Sequence, residues 1–220
     1  MNGLRSLGAS VHRLLRGELP AGPLTRVLLF GVVCTAAYGG LMATSQGIGF
    51  SRWEQMLYSA LKVPVLLTLS AAVAFPSFFV VVSLLGLRDD LRLSLRALAA
   101  TQAVVAMTLL SLAPLTLLMY ASTTSHALAL LTNMVMFAVA SVAGQVVLRR
   151  FYKPLIAKNP THRTVLRVWI VVYAFIGVQL GWVLRPFVGT PGTETTFLRE
   201  NAWGNAYLEV WAIALRAVGL

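Results

Sequence analysis

The stretch Val63-Pro-Val-Leu-Leu-Thr-Leu-Ser-Ala-Ala-Val-Ala-Phe-Pro-Ser-Phe-Phe-Val-Val-Val-Ser-Leu-Leu-Gly-Leu87 holds no charged residue. A helix crossing about 30 Å of hydrocarbon needs about 20 mostly apolar residues, and this run exceeds that length. Four further runs meet the same criterion: Leu24–Ala43, Ala97–Ala121, Ala127–Leu148 and Val168–Leu184. The pattern predicts an all-α protein, an integral membrane bundle of five transmembrane helices.

Composition points the same way. Of 220 residues, 58% are apolar or aromatic and 11% are charged, with a mean hydropathy of +0.78. Soluble domains carry about 25% charged residues. A core of 23.8 kDa cannot hide so much apolar surface, because small domains keep a high surface-to-volume ratio. The surplus must face lipid.

Eighteen Lys and Arg stand against seven Asp and Glu, a net charge of +11. In a soluble chain this balance would suggest nucleic acid. Here the bases flank apolar runs, where they set orientation and meet anionic lipid, so no nucleic-acid partner is expected. One side of an alternating topology collects Arg5, Arg13, Arg16 and Arg26, then Arg88, Arg92 and Arg96, then Arg149, Arg150, Lys153, Lys158, Arg163 and Arg167. The other side holds Arg52, Lys62, Arg185, Arg199 and Arg216. The positive-inside rule then places the N-terminus in the cytoplasm and the C-terminus outside. The basic head before the first run is longer than that of a cleavable signal, so a retained anchor is expected.

The chain divides into 1–23, a cytoplasmic amphipathic helix; 24–184, the five-span domain; and 185–220, an external tail with a Trp-rich amphipathic helix. Leu4, Leu7, Val11, Leu14 and Leu15 share one face of the first, opposite Arg5, His12 and Arg16. Such a basic helix lies in the membrane interface. Trp203, Tyr207, Val210, Trp211, Leu215 and Val218 recur at helical spacing in the last. The short link from Ala121 to His126 predicts a tight hairpin of spans three and four. Asp89 or Asp90 is expected to cap span three. Arg88, Arg92 and Arg96 recur every four residues and should share a helical face whose heads reach lipid headgroups.

The candidate sites are few. All seven acids lie outside the spans, which argues against a proton pathway or an intramembrane acid protease. Cys34 is the single cysteine, and His12, His126 and His162 have no ligand partner at metal-binding spacing. No phosphate loop, nucleophile elbow or zinc motif is present, so neither a cofactor nor catalysis is expected. Four amides enter the spans: Gln102, Asn133, Gln145 and Gln179. They either line a polar path or join helices by hydrogen bonds. Pro76 in span two is the better kink candidate than Pro64, and Pro114 can bend span three. Gly177-Val-Gln-Leu-Gly181 and Ala140-Ser-Val-Ala-Gly144 have the small-residue spacing of close helix contacts. After span five, Arg185 precedes Pro186, so the helix should end there. Arg185 is expected either to bind an anionic headgroup or to pair with Glu194 or Glu200. Together with Arg88, Arg92, Arg96, Arg149, Arg150 and Lys153 it forms the set of candidate contacts to anionic lipid or a partner.

Lys62-Val63-Pro64, Phe75-Pro76, Leu85-Gly86, Ala113-Pro114, the run Trp182-Val-Leu-Arg-Pro-Phe-Val-Gly189, and Trp203-Gly204-Asn205 resemble stretches in a group of uncharacterised bacterial multi-pass membrane proteins. The five-span layout over about residues 24–184 is similar to that of the Yip family, whose members have a cytoplasmic N-terminus and an exoplasmic C-terminus. The resemblance implies a bacterial cytoplasmic membrane and assigns no site residue. The expected function is non-enzymatic: interaction with membrane lipids, anionic on the cytoplasmic face, with a membrane-protein partner or with a second copy of the chain. The alternative is a small-solute or ion transporter or channel that uses a kinked second span and the four amides.

Overall fold

The apolar run that begins at Val63 is the inner part of a longer helix. The computed structural model describes residues 2–20, 22–46, 53–123, 125–188 and 197–198. Its elements are α1 (Asn2–Leu15), α2 (Thr25–Met42), α3 (Trp53–Leu84), α4 (Leu91–Ser111), α5 (Ala113–Ser122), α6 (His126–Lys158) and α7 (His162–Val183), with short 3-10 turns at Ala43–Gln46 and Arg88–Asp90. No strand occurs among the described residues. Five helical segments are long and apolar enough to cross a membrane: Thr25–Ser45, Trp53–Leu84, Arg88–Ser122, His126–Lys158 and His162–Val183. The protein is therefore a multi-pass helical bundle, as the apolar runs predict. The Trp-rich tail helix falls outside the described residues.

The helices outrun the apolar segments. α3 has 32 residues and α6 has 33, lengths of about 50 Å at 1.5 Å per residue, against about 30 Å of hydrocarbon. Lys62, placed by hydropathy in the first loop, is instead internal to α3 and fully buried. α3 runs unbroken through Pro64 and Pro76. Span three does break: α4 ends at Ser111 and α5 restarts at Ala113, with Pro114 in its first turn. A proline there lacks the N–H that would bond back to the previous turn. The hairpin to α6 is as short as expected, and the Ser125 hydroxyl accepts from Leu128 N at 3.4 Å, capping α6.

Close backbone approaches fix the bundle. Gly39 of α2 lies so near α3 that a Cβ there would collide with the Ser59 carbonyl. Gly144 of α6 stands against Val105 of α4, where a Cβ would strike the valine methyl. With Ala140 also fully buried, the Ala140/Gly144 pair is an internal helix contact. Small residues let dispersion contacts form between backbones, which drives association where lipid removes the hydrophobic incentive.

Two apolar clusters fill the bundle. At the end that carries α1, Leu14, Val27, Phe78, Leu148, Tyr152 and Trp169 pack together. At the far end Tyr38, Met42, Val63, Leu109, Met136 and Val188 do so. α1 is helical as expected, and its Leu14 is buried in the first cluster while Leu15 stays exposed. α7 packs mainly on α3, and α6 mainly on α4, while α6 and α7 touch each other sparingly. That division leaves a wedge between α6 and α7.

Candidate functional site: a crevice between three helices

The wedge is a crevice of about 710 Å3, walled by α3, α6 and α7. Its volume suits small-molecule sites, which are typically about 300–1,000 Å3. Leu66 and Leu67 of α3, Phe137 and Val142 of α6, and Ala174 and Val178 of α7 make its walls mostly apolar. Along α6 the lining runs from Leu130 to Arg149, about 28 Å of helix and thus close to the depth of a bilayer core.

Two glycines keep it open. Among the described residues, a Cβ on Gly177 would meet only Ser70 Oγ, at 3.9 Å, and one on Gly181 would meet nothing within 4 Å. The Gly177/Gly181 pair is therefore not the close helix contact its spacing predicts. It is a missing wall, and both glycines line the crevice. The spacing is the same as at Ala140 and Gly144; only the facing neighbour differs.

A strap closes the far end. α7 ends at Val183, just ahead of the Arg185–Pro186 bond as proline geometry requires, and that peptide is cis. The chain then lies against α3. Ser59 Oγ donates to the Phe187 carbonyl at 2.6 Å, Gln55 Nε2 donates to the same oxygen at 3.3 Å, and Lys62 Nζ donates to the Pro186 carbonyl at 2.8 Å. The Lys62 ammonium also stands 5.0 Å from the ring centroid of Phe197, an attractive placement for a cation over a ring. Arg185, Phe187 and Val188 of the strap line the crevice. The Arg185 guanidinium sits 4.6 Å from the Trp182 ring centroid.

Two of the four amides join helices. Gln102 Oε1 accepts from Tyr173 OH at 3.0 Å, tying α4 to α7. Asn133 belongs to a buried network: its Nδ2 donates to Tyr120 OH and, at 2.8 Å, to the Ala129 carbonyl. Tyr38 OH donates to Asn133 Oδ1 at 3.5 Å and shares a 3.1 Å hydrogen bond with Thr116 Oγ1. The network joins α2, α5 and α6. Asn133 and Gln145 line the crevice; Gln102 and Gln179 do not.

The candidate bases part as well. Arg96 donates to the carbonyls of Pro20 at 2.6 Å and Gly22 at 2.9 Å, so it clasps the segment between α1 and α2. Arg88 lies in the 3-10 turn rather than on α4 and donates to Ser83 Oγ at 3.1 Å. The expected common face of Arg88, Arg92 and Arg96 is thus not formed, because the helix starts only at Leu91. Arg92 is exposed. The stem of Arg150 packs on Gly17, whose φ of +78° suits glycine. Arg149 and Lys153 are exposed, and Arg149 lines the crevice at its α1 end.

Asp90 does not cap α4; no side-chain cap bond forms there. Its carboxylate reaches across to Lys158 Nζ at 2.7 Å and His162 Nε2 at 3.1 Å. An ion pair across elements displaces the local cap. Sequence reasoning missed this clamp, the crevice and the role of Lys62. For Lys62 a signal existed: continuing the helical register back from Val63 keeps it on the inward face with Ser59 and Gln55.

Among the described residues no three His, Cys, Asp or Glu side chains gather where they would hold a metal. By architecture the chain belongs to the broad class of multi-pass helical membrane proteins. No protein-family model, curated protein or solved structure matches it.

Proposed function

We propose that this is a non-enzymatic membrane protein that takes a lipid chain into the α3–α6–α7 crevice and thereby organises lipid or a neighbouring membrane subunit. The observation that carries this reading is the crevice itself: about 28 Å long along α6, walled mostly by apolar side chains, and bordered by Gly177 and Gly181. A hydrated solute would leave its polar groups unpaired against such walls, at a cost of several kcal/mol per group on the order of water-to-alkane transfer. A lipid chain loses nothing there. The engagement of Gln102 with Tyr173 and of Asn133 with Tyr120 and Tyr38 favours lipid over the transport alternative, since those amides already serve helix contacts.

The orientation proposed is N-terminus in the cytoplasm and C-terminus outside, which puts the basic end toward anionic headgroups. α1 then lies in the cytoplasmic interface, with Leu14 docked on the bundle and its basic face toward lipid phosphates. The likeness of layout to the Yip family and to bacterial multi-pass proteins is in keeping with an organising role in a bacterial cytoplasmic membrane.

The test is lipid retention. Protein extracted in mild detergent should carry co-purifying lipid, and Gly181→Leu, which fills open space, should lower that amount at unchanged thermal stability. A wild-type protein that emerges free of lipid, or a Gly181→Leu variant that retains as much as wild type, rejects the reading.

A further inference from the structure

We infer that the crevice takes a long-chain lipid bearing a phosphate-monoester headgroup, which Arg149 and Lys153 of α6 and Arg163 and Arg167 of α7 hold at the α1 end. This rests on the reading of the crevice as a lipid-chain site and names the headgroup that site selects.

The argument begins with helical phase. On α7 the crevice is lined at Ile170, Ala174, Gly177 and Gly181. Stepping back from Ala174 by seven and eleven residues keeps the same face and arrives at Arg167 and Arg163. On α6 the lining ends at Arg149, and Lys153 lies one turn further on. All four side chains are exposed. The two helices are joined by the turn between Lys158 and His162. Lys153 and Arg167 stand about 8 Å from that turn, one on each helix, just beyond the lined part of the crevice. Arg149 lines the crevice itself, and by helical phase Lys153, Arg163 and Arg167 continue its two faces beyond this end.

Among the described residues no acid pairs with them. Asp90, the acid docked on the α6–α7 turn, is already bound to Lys158 and His162. Arg96 at the same end is spent on the carbonyls of Pro20 and Gly22, and the aliphatic stem of Arg150 packs on Gly17. The four bases at the mouth form no ion pair among the described residues. Arg forks match phosphate oxygens two at a time. A phosphate monoester carries about −1.5 to −2 charges at neutral pH and three open oxygens. A phosphodiester carries one charge, so it engages fewer of the four. A headgroup at this mouth with its chain along Ile170, Ala174 and Gly177 satisfies both halves of the site.

The test uses the full chain in neutral detergent, with native mass spectrometry counting lipid bound from phosphatidic acid, phosphatidylglycerol, phosphatidylcholine and inorganic phosphate. Phosphatidic acid should bind at least about fivefold better than phosphatidylglycerol, one extra charge near the bases being worth about 1 kcal/mol. Arg149→Gln combined with Arg167→Gln should bring the two lipids level, while Arg92→Gln, an exposed base off the crevice, should change nothing. Equal binding of all three lipids, with loss of all in Gly177→Leu, overturns the headgroup assignment and leaves the crevice reading intact. No effect of Gly177→Leu on any lipid overturns the crevice reading itself. Inorganic phosphate binding as well as phosphatidic acid, or an Arg92→Gln loss as large as the double variant's, also overturns the proposal, since chain and position would then not matter.

Discussion

Lys62 Nζ donates a 2.8 Å hydrogen bond to the Pro186 carbonyl, joining the first third of α3 to the segment that follows α7. The lysine is fully buried, and its contacts are this carbonyl and the Phe197 ring. A cation at such depth persists only when other groups solvate it. Here a backbone carbonyl and a ring face do so, and in return the strap is fixed over the far end of the crevice.

Replacing Lys62 with Ala should therefore loosen the strap as well as the helix packing. The Pro186 carbonyl loses its donor and a cavity opens, for a combined loss of about 2–4 kcal/mol. A cysteine placed at Val188, which is 2% exposed, should react slowly with a soluble maleimide in the parent and at least tenfold faster with Lys62→Ala. Unchanged reactivity would mean that Ser59 and Gln55 hold the strap without the lysine.

Gly39 and Gly181 provide a paired prediction from one residue type. At Gly39 any side chain meets the α3 backbone at Ser59, which cannot yield without moving a helix. Gly39→Leu should cost about 3 kcal/mol or more and lower the melting temperature in detergent sharply. At Gly181 a Cβ meets open space, so Gly181→Leu should shift stability by less than about 0.5 kcal/mol. Comparable losses at both positions would show that the crevice is closed in the folded protein.

The same comparison explains what the sequence discloses. Uncharged runs such as 63–87 locate spans because only a closed helix satisfies its backbone in hydrocarbon, and all five are found. Helix ends escape that logic: outside the hydrocarbon core charge no longer disfavours a helix, so α3 begins at Trp53 and α6 continues to Lys158. Lys62 was lost for that reason. Small-residue spacing marks a face but not its neighbour, so Ala140/Gly144 is a contact and Gly177/Gly181 is a void. Asp90 illustrates a third limit. Its position before α4 signals a local cap, while its partners Lys158 and His162 are about 70 positions away and leave no trace in local pattern.

The Asp90 clamp predicts an unequal pair of effects. His162 is 1% exposed on its side chain, whereas Lys158 is 63% exposed. An exposed ion pair contributes little, because water and salt screen it. His162→Ala also removes a ring packed by Tyr152, whose centroid lies 6.3 Å away. Thermal melts in detergent should rank the losses as His162→Ala above Asp90→Asn, and Asp90→Asn above Lys158→Met. Raised salt should erase the Lys158→Met effect first. If Lys158→Met proves the most damaging, the clamp acts through the surface pair and the buried contact is incidental.

The Asn133 network predicts a stability effect separable from lipid binding. Tyr38, Thr116, Tyr120 and Asn133 exchange hydrogen bonds, those of Tyr38 buried and that of Tyr120 part-buried, and interhelical bonds of this kind are worth about 0.6–2 kcal/mol each. Asn133→Leu removes the shared partner and leaves two tyrosine hydroxyls with fewer acceptors and donors. The loss should be about 2–3 kcal/mol by unfolding in mixed micelles. Tyr38→Phe, which deletes one hydroxyl, should cost about half as much. Retained lipid per folded protein should stay unchanged in Tyr38→Phe, since Tyr38 does not line the crevice.

Three of the five spans lie between Ala9 and Ser122, so these two sites should face different compartments, and single cysteines read that out directly. Cys34 is buried within α2 and is first replaced by Ala. Exposed sites at the α1 end are Ala9, Asp89 and Ala157, while Ser122 is exposed at the far end. In intact cells a membrane-impermeant maleimide should label Ser122→Cys and spare the other three; in inverted vesicles the pattern should reverse. This direction follows from the proposed orientation, in which the bases at the α1 end face the cytoplasm; in the opposite topology each would have to cross against the membrane potential. Labelling of Ala9→Cys and Ser122→Cys from the same side would break the five-crossing arrangement, and with it the placement of Arg149, Lys153, Arg163 and Arg167 at a single face.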